Sequence, residues 1–135
     1  MKSYKSLVLL ILSICLACPA LSYAVENPVS IKKLKVEYAE MPLGIDVEKP
    51  RFSWQMVVPD TERGYSQKAY QIIVTDETGN LVWDSGKVSS DLSLNIEYAG
   101  APLQPATCYF WTVNVWNQRG EQSSETSWFE TGLMS

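Results

Sequence analysis

Alternation of apolar and polar side chains over short runs is the feature that most limits what this chain can become. Phe52, Trp54 and Met56 alternate with Arg51, Ser53 and Gln55, a period of two that suits a half-buried strand and not a helix. Six more short runs follow the same logic. They are Ile31–Tyr38 with Leu34 and Val36 on one face, Gln67–Thr75 with Tyr70, Ile72 and Val74, and Leu81–Asp84. Then come Leu92–Ile96 with Leu92, Leu94 and Ile96 in phase, Thr107–Trp116 with Tyr109, Trp111, Val113 and Val115, and Ser127–Thr131. Pro42, Gly44 and Pro50, the loop from Pro59 to Gly64, the turn Asp76–Asn80, the pair Ser85-Gly86 and the turn Asn117–Gly120 separate them. Seven short runs with turn residues between them predict an all-β fold. The expected form is a seven-stranded antiparallel β-sandwich of the fibronectin type III or immunoglobulin-like kind over residues 31–133.

One local signal supports this. In Leu103-Gln104-Pro105-Ala106-Thr107-Cys108-Tyr109, a Pro precedes a Tyr at the head of the longest strand. That arrangement predicts a tyrosine corner, in which the hydroxyl ties the entering loop to the sheet.

Residues 1–24 are expected to be no part of the fold. Lys2 and Lys5 precede the apolar stretch Leu7–Leu12, which continues through Ile14, Leu16 and Ala17. Ser22-Tyr23-Ala24 then supplies a small-x-small cleavage pattern. These are the parts of a signal peptide cut after Ala24. The apolar run is short of the roughly 20 residues that span a bilayer, and no stop-transfer charges follow, so no transmembrane anchor is expected. Leu16-Ala17-Cys18 resembles the end of a lipobox, although Cys15 stands where Leu is usual, so a lipoprotein anchored at Cys18 is the alternative. Either way the protein is expected to be exported, to the periplasm or to the cell surface and beyond. Residues 25–30 read as a short linker. Residues 134–135 form the C-terminal end, the place where a truncated parent would stop.

Charge and residue types remove most chemistries. Without Lys2 and Lys5 the chain keeps nine basic side chains against fifteen acidic ones, and Lys32, Lys33 and Lys35 are its only basic cluster. Phosphate backbones need a positive surface, so nucleic acid is excluded as a partner. There is no histidine, which removes His-based nucleophile systems and His-based metal sites. Cys108 alone remains once Cys15 and Cys18 are gone, so neither a disulfide within the domain nor a thiolate cluster is expected. The glycines are isolated in turns and form no phosphate loop. No metal, cofactor or catalytic residue is assigned. The acids that could be paired for glycoside cleavage, Asp60 with Glu62 and Asp84 with Asp91, lie in polar turns. A general acid needs burial to raise its pKa, and a chain of this size has little polypeptide to bury one.

The aromatics are the remaining feature. Trp54, Trp111, Tyr70 and Tyr109 are in phase with the core. Ile73, Phe110, Trp116 and Trp128 are out of phase. In a type III sandwich the third, sixth and seventh strands share a sheet, which would place those four on its outer face. Together they would form an apolar surface large enough to be a domain-docking face. Packing against the protein's own loops and stacking of sugar rings are the other readings of the same residues.

Several pieces of sequence resemble the N-terminal β-sandwich module of bacterial α-L-rhamnosidases. They are L-K-V-E-Y at 34–38, P-L-G-I-D at 42–46, K-P-R-F-S-W-Q at 49–55 and E-R-G at 62–64. Q-K-A-Y-Q-I-I-V at 67–74, W-D-S-G-K-V at 83–88 and Y-A-G-A-P-L at 98–103 follow. Y-F-W-T-V at 109–113 and F-E-T-G-L at 129–133 complete the set. The resemblance implies a glycoside hydrolase parent whose acid and base lie in a helical barrel further along such a chain. It implies, for these residues, a non-catalytic scaffolding module whose partner is a downstream catalytic domain or polypeptide. A free-standing interaction module, or one that binds a rhamnose-containing glycan, is the alternative. A truncated product, a split gene and a stand-alone module all fit the sequence.

Overall fold

A computed structural model describes residues 26–135, and the signal peptide, its cleavage after Ala24 and Cys18 lie outside them. Seven strands form: β1 Ser30–Val36, β2 Arg51–Val57, β3 Gln67–Asp76, β4 Leu81–Asp84, β5 Ile96–Glu97, β6 Cys108–Asn117 and β7 Gln122–Glu130. They make two antiparallel sheets, a three-stranded one in the order β1-β2-β5 and a four-stranded one in the order β4-β3-β6-β7. As expected, the third, sixth and seventh strands share a sheet.

The inward faces follow the alternation. Tyr70, Ile72 and Val74 of β3 and Tyr109, Trp111, Val113 and Val115 of β6 are buried against Phe52 and Trp54 of β2. Burial of these large side chains is the main driving force for closing the sandwich. Phe52 sits at its centre, with ring centroids 4.7 Å from Trp111 and 6.0 Å from both Trp83 and Phe129. In β1 the pairing shifts between Lys32 and Lys35, where Lys33 has φ 54°. This bulge lets Ile31 and Leu34 both point inward although strict alternation would separate them.

The tyrosine corner is present. The Tyr109 hydroxyl accepts the Gln104 N–H at 2.8 Å. Thr131, which is fully buried, extends the corner by donating to Gln104 O at 2.6 Å and accepting the Thr107 N–H at 3.0 Å.

Three strands depart from expectation by more than one residue. The first strand ends at Val36, not Tyr38, because Glu37 and Tyr38 take φ 48° and 69° and make a two-residue turn. Val36 and Ala39 close this turn with reciprocal backbone bonds of 2.9 and 3.1 Å. The seventh strand starts at Gln122, five residues before the expected Ser127. Its first half, Q-S-S-E-T, is an edge segment whose polar residues carry no apolar period to read.

The fifth strand is the largest correction. Only Ile96 and Glu97 pair with β2, and Leu92 and Leu94 are 60% and 65% exposed, not in the core. Asn95 has φ 56°, a left-handed conformation that Asn tolerates, and it shifts the chain out of register. The Trp54 N–H then bonds Ser93 O at 3.0 Å, one residue from the partner that the Phe52–Ile96 register would give it. Buried Gln67 holds the displaced segment. It accepts the Trp54 indole N–H at 3.0 Å and donates to the carbonyls of Ser90 and Leu92 at 3.1 and 2.7 Å. A fully satisfied buried amide outweighs the two leucines' period, since leaving it unpaired costs about 1–3 kcal/mol.

The chain joins the sandwich before Ser30. Val29 is buried, and Asn27 donates to Gln122 O and Ser123 Oγ at the start of β7.

Candidate functional site

Strand pairing fixes where the four out-of-phase residues lie. Phe110 of β6 stands opposite Trp128 of β7 on one side and Thr75 of β3 on the other. In the next outward-facing row Thr112 stands between Ile73 and Thr126. Ile73, Phe110 and Trp128 therefore share one corner of the outer face. Trp116 does not join them. It pairs with Ala69 and Gln122, six residues along β6 from Phe110, about 20 Å at roughly 3.4 Å per residue. The Lys87 ammonium lies 4.3 Å from the Trp116 ring centroid and covers one of its faces. Phe110 is 42% exposed, while Ile73, Trp116 and Trp128 are half-buried.

A polar strip separates the two ends. Asp84 Oδ1 accepts from Gln71 at 2.9 Å, Gln71 Oε1 accepts from Asn114 at 3.2 Å, and Asn114 Oδ1 accepts from Ser124 at 2.5 Å. Ser124 in turn accepts from Gln122 at 3.3 Å. This chain of hydrogen bonds crosses all four strands, and Thr112 and Thr126 add a parallel link of 2.9 Å. The outward-facing side chains of β3, β6 and β7 from Gln71 to Thr75, Phe110 to Trp116 and Gln122 to Trp128 are uncharged. Low charge with exposed aromatics is the composition of an interface core.

The end of the sandwich beyond Phe110 and Trp128 carries further apolar surface. Segment 42–46 runs parallel to the chain leaving β7. Glu130 N–H bonds Pro42 O at 3.0 Å, Ile45 N–H bonds Glu130 O at 2.9 Å, and Gly132 N–H bonds Ile45 O at 2.8 Å. Asp46 closes the arrangement by accepting the Met134 N–H at 3.0 Å. A Cβ at Gly132 would collide with the Asp46 carboxylate in its present place, so any other residue there would displace Asp46 from the Met134 N–H. This pairing leaves Leu43 70% and Leu133 78% exposed. Beside it lies an open cleft of about 510 Å³, lined by Glu48, Lys49, Tyr98, Gly100, Leu103 and Met134 among others. The Tyr98 hydroxyl donates to Ala101 O, and burial, with Tyr109 nearby, pushes its pKa up to about 12.

Leu43 and Leu133 were not singled out from the sequence. Each sits in a short segment with no period, so neither has a strand phase that could mark it as outward. The only signal was their place in the P-L-G-I-D and F-E-T-G-L pieces, which the fold brings side by side.

The carboxylates weighed for catalysis are spread around the surface. Asp60, Glu62, Asp84 and Asp91 are all exposed. The hydrogen bond from Gln71, then that from the Gly86 N–H, holds the Asp84 carboxyl below the usual carboxylate range. That is the wrong direction for a general acid at neutral pH. Asp84 and Ser85 are instead turn-builders: Ser85 Oγ accepts the Ile72 N–H at 2.8 Å, tying the end of β4 to β3. Cys108 is free and half-buried, and burial, then the charges of Glu77 and Glu130, pushes its thiol pKa up. Among the described residues no group of three His, Cys, Asp or Glu could hold a metal ion.

Fold and surface together define an immunoglobulin-like β-sandwich with exposed apolar side chains on one sheet face and at one end. Comparison with known proteins narrows this: the sequence model of the Rha78A-like N-terminal immunoglobulin domain matches residues 31–135, and the chain belongs to that family. An α-L-rhamnosidase of Streptomyces avermitilis is 50% identical over 73% of this chain and 10% of that protein. One from Formosa agariphila is 33% identical over 94% of this chain and 14% of that protein. The crystal structure of Streptomyces avermitilis α-L-rhamnosidase complexed with L-rhamnose superposes with a TM-score of 0.72 at 45% identity. That match covers 78% of this chain and 11% of the other. The chain thus spans about a tenth of the length of these relatives.

Proposed function

We propose that this chain is a non-catalytic β-sandwich module of an exported α-L-rhamnosidase-type glycoside hydrolase, and that its work is to pack against the remainder of such an enzyme. The observation that carries this reading is the pairing of a family match to an N-terminal domain with coverage of only about a tenth of the relatives. The exposed positions of Asp60, Glu62, Asp84 and Asp91 agree with it, because none has the burial a glycosidase acid needs. Lys2, Lys5, the run Leu7–Leu12 and Ser22-Tyr23-Ala24 support export to the periplasm or cell surface. Ile73, Phe110 and Trp128 form the docking corner of the sheet. Trp116 stands apart from it.

A rhamnose-containing glycan is the competing partner for the same face. It is disfavoured by the Lys87 ammonium over Trp116 and by the polar strip between Trp116 and the Phe110–Trp128 pair. Sugar stacking needs an open ring, and the strip keeps these rings from forming one platform.

The test uses the Streptomyces avermitilis relative with its matching N-terminal tenth removed. Supplying this chain in trans should raise the solubility and melting temperature of that polypeptide. If neither changes, and titration with rhamnose-containing glycan releases heat, the glycan reading replaces this one.

A further inference from the structure

The most exposed large apolar side chain of the described residues is not on the sheet face. Leu133 is 78% exposed and Leu43 70%, against 42% for Phe110. Leu43 lies in segment 42–46, which pairs with residues 130–132, and Leu133 directly follows that pairing. Glu130 lies two residues beyond Trp128, so this pairing continues the Phe110–Trp128 corner around the end of the sandwich. The cleft of about 510 Å³ lies past it, with Met134 on its wall. Glu48 and Lys49 also line it, and Lys49 pairs with Glu97 at 3.8 Å. Glu130 interrupts the outer face between Trp128 and this end, but two leucines this exposed beside a cleft are more than scattered apolar side chains.

We infer that this end of the sandwich, from Phe110 and Trp128 through Leu43 and Leu133 to the cleft at Tyr98, is the surface on which the polypeptide following this module in α-L-rhamnosidases is seated. The inference rests on the packing role proposed above and gives it an address. The match to the family's N-terminal domain runs to residue 135, next to Met134 on the cleft wall, and the stretch shared with the Streptomyces avermitilis relative is only a tenth of that protein. The next residues are tethered at the rim, so their effective concentration there is high. The cleft is walled by Tyr98, Leu103 and Met134 and takes an apolar side chain from that segment. Trp116, at the far end and capped by Lys87, is left out of the contact.

The experiment joins this chain to the Streptomyces avermitilis enzyme in place of its own matching N-terminal part and compares amide hydrogen exchange with that of the isolated chain. Amides of residues 43–48, 98–103 and 130–134 should slow by roughly tenfold or more in the fusion. Those around Lys87 and Trp116 should not change. Leu133→Asp and Leu43→Asp should return the slowed amides toward their isolated rates, with unchanged exchange in β2 confirming that the variants fold. Slowing at the Trp116 end instead would overturn the inference and leave the packing role standing. So would slowing in the isolated chain that grows with its concentration, which marks a second copy as occupant, or slowing there on adding glycan. No slowing anywhere would remove the packing role itself.

Discussion

Trp54 and Trp111 are fully buried on opposite sheets, Trp54 against Tyr70 and Trp111 against Phe52, and their indole nitrogens end in different surroundings. Trp54 Nε1 donates to Gln67, which carries the bond on to Ser90 and Leu92. Trp111 Nε1 is buried without a partner. Substitution by phenylalanine separates the two. Trp54→Phe leaves Gln67 Oε1 buried and unpaired, while Trp111→Phe removes an N–H that bonds nothing. Urea unfolding should find Trp54→Phe less stable than Trp111→Phe by about 1–3 kcal/mol. Equal losses would mean that the Gln67 network contributes nothing beyond packing. Glu37 and Arg51 give a second residue-scale prediction. Arg51 bonds the Glu37 carboxylate through Nε at 3.0 Å and Nη2 at 2.7 Å, and its own N–H adds a third bond at 2.8 Å. The side-chain hydrogen bond to Arg51 holds the Glu37 pKa below its usual value. A lowered folded-state pKa stabilises the fold above the unfolded value, near 4.5, and that stabilisation is lost as pH falls through the folded one. Between about pH 5 and pH 2 the melting temperature of Glu37→Gln should therefore fall less steeply than that of the wild type. Parallel curves would remove the pair from the account.

At the scale of elements, β5 offers the sharpest test. If Leu92 and Leu94 are displaced from the core by Asn95 and Gln67, Leu92→Ser and Leu94→Ser should each change stability by no more than about 0.5 kcal/mol. A core strand there would lose several times as much per leucine, and that result would restore the strand expected from the sequence. The two outcomes bear on what could be read in advance. The period of two placed β2, β3 and β6 nearly to the residue, because each buries one face and the other is polar or wet; β4, none of whose residues is buried, was bounded by the turns on either side of it. It failed where something other than burial sets the backbone. Left-handed residues at Lys33, Glu37, Tyr38 and Asn95 bend the chain, and none of them is a glycine that would have announced it. It also missed the polar first half of β7, which is a strand because β6 supplies its partners and not because its side chains seek the core. The outer-face residues were found by the same phase argument, but phase says nothing about position along a strand. Phe110 and Trp116 stand six residues apart along β6, and the register is what puts Trp128 beside Phe110 and not Trp116.

For the whole molecule, the resemblance pieces prove to be architecture. Asp46 closes on Met134, Asp84 and Ser85 build the turn after β4, Gly132 makes room for Asp46, and Tyr109 and Thr131 lock the corner. Residues that specify a family would be expected to converge on a site in an enzyme; here they converge on turns and on the end of the sandwich. That agrees with the packing role proposed above. The measurement that bears most directly on this is turnover of an aryl α-L-rhamnoside by the purified chain, followed by release of the aryl group. The account predicts no release above the buffer rate at any concentration of the chain. Release that scales with the chain and disappears in Glu62→Gln or Asp84→Asn would contradict it.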